Sequence, residues 1–130
     1  MDTSNPGPLL LLGGGVLIAL STILDQRAGD SGLSFDVAGL YGLLMLVIGV
    51  GIAVVGASRA FGFDLPIPDE ILGLSLDKWA LIEGFTAFIW AFALITAEFV
   101  DFGVHLQWIG GAVVVAGAVL SLRQAPAATV

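Results

Sequence analysis

Residues 37–58 read VAGLYGLLMLVIGVGIAVVGAS, a run of 22 residues without a charge that ends at Arg59. A segment this long and this apolar crosses a bilayer as one helix, since a span takes about 20 residues at a rise of roughly 1.5 Å each. Its glycines, Gly42, Gly49 and Gly56, recur at intervals of seven. Seven residues make almost two helical turns, so the three line one face of the helix.

Three further apolar runs flank this one. The first is short, and with Gly7 and Pro8 supplying an opening turn it gives a span over about 8–24 that carries no acid. Residues before it hold Asp2 and no Lys or Arg, whereas a cleaved signal peptide opens on a basic stretch. The expectation is therefore a retained helix. The third run, 79–100, contains Trp79, Phe85, Phe88, Trp90, Phe92 and Phe99, and Asp77 is placed to cap it. A fourth run, 102–122, stops at Arg123. Composition agrees: of 130 residues 58% are hydrophobic and 18 more are glycine, while only 12% are charged. Soluble domains carry about twice that charge. The expected fold is all-α, a single polytopic membrane domain of four transmembrane helices.

The fourth run repeats the glycine pattern of the second. Gly103, Gly110 and Gly117 stand 61 positions after Gly42, Gly49 and Gly56. Tyr41 with Phe102, Ile48 with Ile109 and Ala57 with Ala118 extend the match. This predicts two pseudo-repeated helix hairpins in parallel orientation. Small residues on a helix face let backbones approach closely in lipid, so all six glycines are read as packing seams.

Between the second and third runs lies a loop, residues 59–78, that is too apolar to float in water and is expected at the membrane interface. Pro66 and Pro68 forbid a regular helix through its centre. The sequence Pro68-Asp69-Glu70 resembles a helix start, with Ile71, Leu72 and Leu74 on a short helix behind it.

Lys and Arg fix the expected orientation. Arg59, Lys78 and Arg123 fall on one side of the membrane and Arg27 on the other, which puts both termini in the cytoplasm and the protein in the cell membrane. Eleven acids against four bases make nucleic acid an unsuitable partner.

Chemistry-bearing residues are few. An acid inside a span suggests a function because it is expensive to place there. Glu83 lies about one turn into the third span, within reach of Lys78, and Glu98 lies near its far end. About 22 Å of helix separates them, too far for a shared-proton pair. Glu98, Asp101, His105 and Gln107 cluster at the outer turn beside Trp108, with Asp25 and Asp36 available from the other loop on that side. Glu83, Glu98, Asp101 and His105 are thus the candidates for holding a proton or a cation. Gly103 is expected to interrupt the helix between Asp101 and His105. No metal site is expected, and no catalytic triad, phosphate loop or haem ligand pair is present. With no cysteine there is no disulfide or thiolate site either. No enzyme and no cofactor are expected. Trp79 and Trp108 read as anchors at opposite interfaces, and Trp90 as mid-span packing.

The last hairpin is entered through Gly103-Val104-His105-Leu106-Gln107-Trp108-Ile109-Gly110-Gly111. This entry, with the Gly/Leu/Val-rich second span, resembles a loose group of uncharacterised small four-helix membrane proteins of high-GC bacteria. The resemblance implies a membrane bundle and no particular activity. Two functional expectations follow. One is a non-enzymatic accessory or scaffold subunit in the bilayer, whose glycine-lined helix faces pack against each other and against another membrane protein or a second copy. The other is a small oligomeric transporter or channel for protons or cations using Glu83 or Glu98.

Overall fold

The computed structural model describes residues 5–27, 30–31, 37–96 and 102–124. Four helices dominate: α1 (Gly7–Ile23), α2 (Val37–Phe61), α3 (Leu76–Thr96) and α4 (Phe102–Gln124). Two short antiparallel pairs lie between them. β1 (Asp25–Arg27) pairs with β2 (Asp30–Ser31) after α1, and β3 (Glu70–Ile71) pairs with β4 (Leu74–Ser75) before α3. Three helices, over Leu40–Phe61, Leu76–Thr96 and Phe102–Gln124, are long and apolar enough to cross a membrane; α1 is apolar and shorter, with 17 residues.

Local chemistry explains the helix ends. Pro6 and Pro8 open α1, and the Asn5 side-chain oxygen accepts from the Gly7 amide at 2.9 Å. α2 closes on Gly62, whose φ of +75° is open to glycine without strain. The amides of Gly62 and Phe63 both turn back to the Ser58 carbonyl, at 2.8 and 3.1 Å. Ser75 caps α3, its hydroxyl accepting from the Lys78 amide at 3.4 Å. Asp77, expected in that role, instead sits in the first turn and pairs with Arg59 in the last turn of α2. Each charge favours the dipole of its own helix end, so the pair ties the two ends together.

The segment expected to form a short helix behind Pro68 is the β3–β4 hairpin. Its two-residue turn, Leu72-Gly73, takes φ of 53° and 77°. Paired positive φ values match the twist of a tight hairpin. The Trp79 indole N–H holds the hairpin down by donating to the Ile71 carbonyl at 2.8 Å. Acids after a proline look alike at a helix start and in a polar hairpin, and here Gly73 allowed the turn. The loop is correspondingly shorter than 59–78, because α2 runs on to Phe61 and α3 begins at Leu76.

Packing order differs from sequence order. α1 lies between α2 and α4, α4 lies between α1 and α3, and α2 and α3 scarcely meet. Two equivalent hairpins related by a twofold would pair α2 with α3 as closely as α1 with α4, so the arrangement departs from that expectation. The glycines show why. A Cβ on Gly49 would stand 2.6 Å from the Ala19 amide nitrogen, and one on Gly56 2.4 Å from that of Leu12, both on α1. A Cβ on Gly110 would stand 2.9 Å from the Ile18 nitrogen, and one on Gly117 2.9 Å from that of Leu11, again on α1. The two similar stripes therefore press on one shared helix. Gly42 and Gly103 are buried too.

α1 accepts both neighbours through its own small residues. Gly15 faces α2, where a Cβ would lie 2.5 Å from the Ala53 nitrogen, and Gly14 faces α4, 2.8 Å from that of Val114. Consecutive residues are 100° apart around a helix, so Gly14 and Gly15 serve different seams. Gly13 meets nothing within 4 Å. On the third seam Gly84 of α3 meets Val114, and Gly111 of α4 would place a Cβ 2.8 Å from the Phe88 nitrogen. Leu11, Ile18, Met45, Ala87, Val114 and Ala118 fill the core between these contacts.

Gly49→Ala is expected to destabilise the bundle by about 1–3 kcal/mol, because the obstructing atoms are backbone and the helices must part. Gly13→Ala, at an open position, is expected to be neutral or slightly stabilising. Equilibrium unfolding in mixed micelles measures both.

Candidate functional site

Within the polar cluster expected at the outer turn, His105 and Gln107 turn to different sides of α4. Glu98, Asp101 and Asp36 lie outside the described residues. His105 is exposed on α4 and accepts at Nδ1 from the Trp108 indole N–H at 3.1 Å, which leaves the proton of the neutral ring on Nε2. Trp108 also packs edge-on against Phe88, with ring centroids 6.5 Å apart. Gln107 turns the other way. It is fully buried and donates to the Ala87 carbonyl of α3 at 3.2 Å. Gly103 does not interrupt the helix among the described residues, since α4 runs from Phe102 through His105. No group of three or more His, Cys, Asp or Glu residues gathers among the described residues.

Gln107 was expected at the surface with its neighbours. A polar residue in a span is affordable when it crosses to another helix, and its position between exposed His105 and half-buried Trp108 follows from the 100° step. Three other buried hydroxyls bond to their own helices, while that of Ser121 has no hydrogen-bond partner among the described residues. Ser21 donates to the Ile18 carbonyl at 2.6 Å, Thr22 to Ala19 at 2.7 Å and Ser58 to Val55 at 2.9 Å. Such bonds satisfy hydroxyls that lipid cannot.

Glu83 has a different setting. α2 packs on α1 and α3 packs on α4 without α2 and α3 closing on each other, and the gap between these two is a cavity of about 240 Å³. Its floor is Leu11 of α1. One wall is Ile48, Ile52 and Val55 of α2, the other Leu76, Trp79, Ala80 and Glu83 of α3. These four α3 positions follow the i, i+3, i+4, i+7 spacing of a single helix face. Ile67 and Ile71 reach in from the loop and the hairpin, so the hydrogen bond from Trp79 to Ile71 positions both wall and roof. Further along the groove, the rings of Tyr41 on α2 and Trp90 on α3 stack with centroids 4.0 Å apart and planes at 25°. They bridge the two helices there.

Among the described residues Glu83 forms no ion pair. Lys78, expected as its partner, is exposed, while Arg59 is taken by Asp77. Glu83 is therefore a half-buried carboxylate in an otherwise apolar lining. A second cavity, of about 340 Å³, lies under the loop and is lined by Ser58, Arg59, Asp64 and Asp69 among others.

No family model, curated protein or solved structure matches this chain.

Gln107→Leu keeps the side-chain volume and removes the donor to Ala87. The expected cost is about 0.6–1.7 kcal/mol, the range of hydrogen bonds between helices in lipid, read from the same unfolding measurement.

Proposed function

We propose that this chain is a non-enzymatic integral membrane protein of four spans, acting as an accessory or scaffold subunit, with both termini in the cytoplasm. α1 measures only about 25 Å, but it runs antiparallel to α2 and α4 along its length and so shares their crossing. Residues 5–8, the hairpin loop and the end of α4 gather at one end of the bundle. That end also carries Arg59, Lys78 and Arg123, which supports the cytoplasmic assignment.

The observation that carries the reading is the dryness of the bundle axis. Its buried residues are aliphatic or glycine, apart from hydroxyls that mostly bond to their own helix and the Gln107 amide that bonds to α3, and among the described residues no carboxylate, imidazole, ammonium or guanidinium is buried. A conducting path needs a wet or ligand-lined middle. The partner surface differs from the one the glycine stripes suggested, because Gly49, Gly56, Gly110 and Gly117 are consumed inside the chain. What remains outside is apolar: Leu40, Leu43, Leu44 and Val47 on α2, and Ile82, Phe85 and Ile89 on α3. In a subunit role another membrane protein would pack there in place of lipid.

A transporter or channel is the second reading, and the placement of Glu83 on a side cavity favours keeping it.

Purification in mild detergent is expected to recover a partner protein together with this chain; a clean monomer or homo-oligomer overturns the subunit reading. Because the chain has no cysteine, single cysteines at Gln124 and Arg27 can be labelled from either side of the membrane. Labelling of Gln124→Cys from the cytoplasm and of Arg27→Cys from outside is expected. For the second reading, proton and cation flux in liposomes is compared between the unaltered protein and Glu83→Gln and Glu98→Gln. Equal flux removes it.

A further inference from the structure

The cavity between α2 and α3 combines features that the accessory role does not use. Its lining is aliphatic on three sides, and the single charged side chain in it is Glu83. That carboxylate has no ion pair among the described residues, although Arg59 and Lys78 are on nearby elements. Trp79 precedes Glu83 by one helical turn on the same face, so a carboxylate and an indole stand side by side in the cavity wall. The indole is held in place by its bond to the Ile71 carbonyl.

Carboxylate and aromatic ring are the two groups that attract an organic cation, one by charge and the other through the negative face of its π system. The aliphatic remainder accepts a hydrocarbon body. Gly51 widens the cavity on the α2 side, where a Cβ would meet nothing within 4 Å. We propose that this cavity binds a small hydrophobic amine in its ammonium form, with the charge at Glu83 beside Trp79 and the apolar body between Ile48, Ile52 and Leu11.

Size limits the ligand. A volume of about 240 Å³ lies below the roughly 300–1,000 Å³ of drug-sized sites, so the ligand is of one ring or one short chain. Access is from the side, between two helices that scarcely touch, and not along the bundle axis. The site neither requires nor excludes a protein partner, so its test is separate from that of the subunit reading.

Calorimetry on the full chain in detergent tests the proposal with two probes of similar shape, 4-phenylbutylammonium and neutral 4-phenylbutanol. The ammonium is expected to bind saturably and at least about tenfold more tightly than the alcohol, a difference of about 1.4 kcal/mol. Glu83→Gln is expected to bring the two probes to similar affinity. Gly51→Leu is expected to weaken both, while its unfolding midpoint stays near that of the unaltered protein. Should Gly51→Leu fail to fold, the Glu83→Gln comparison decides alone. Equal binding of the two probes by the unaltered protein, an undiminished preference for the ammonium in Glu83→Gln, or uptake that never saturates and reflects partition into micelles overturns the proposal.

Discussion

Contact of backbone with backbone across glycine is the constraint on which this bundle depends. In water, helices associate because burial removes apolar surface from solvent; in lipid that gain is absent and close packing has to serve. Gly14, Gly15, Gly49, Gly56, Gly84, Gly110, Gly111 and Gly117 each leave room that a methyl group would take from a neighbouring helix. Most of the obstructing atoms are amide nitrogens and carbonyl oxygens, which cannot rotate aside as a side chain would. The seams consequently hold the helices at one spacing, and Leu11, Ile18, Met45 and Val114 fill what is left.

From this spacing follows the placement of the polar groups. Three tight seams order the helices α2, α1, α4, α3, and the fourth pair, α2 with α3, is left open. Gln107 lies inside, next to the α3 backbone, and Glu83 lies on the open side. Both residues interrupt apolar runs, yet one strengthens a seam and the other faces a gap. Aromatic rings then bridge the open pair where glycine does not, through Tyr41 and Trp90.

How far the sequence foretold this varies with the physics of each element. The starts of α2 and α4 were legible because unbroken apolar runs open at Val37 and Phe102, whereas both helices continue past Arg59 and Arg123, where those runs stop. Glycine spacing marked one face on each, but periodicity on one helix does not say which neighbour meets it, and two similar stripes suggested symmetry where they share α1. The clue to the shared helix was Gly13-Gly14-Gly15, whose members point in three directions and so show no period. At the hairpin, Leu72 takes a positive φ that leucine seldom adopts, and no leucine-based rule would place a turn there. The cavity was illegible for a different reason: Gly51, Trp79 and Leu11 come together only once the helix order is known.

The central position of α1 bears on how the protein is made. During synthesis α1 emerges before α2 and meets it soon afterwards, through Gly15 and Gly49. Its other face, built on Gly14, waits for α4, which follows α3 along the chain. Until then a glycine-rich surface stays open to other nascent segments. Whatever guards the chain during this interval has a defined client: the Gly14 face of a helix whose second neighbour is separated from it by two complete helices.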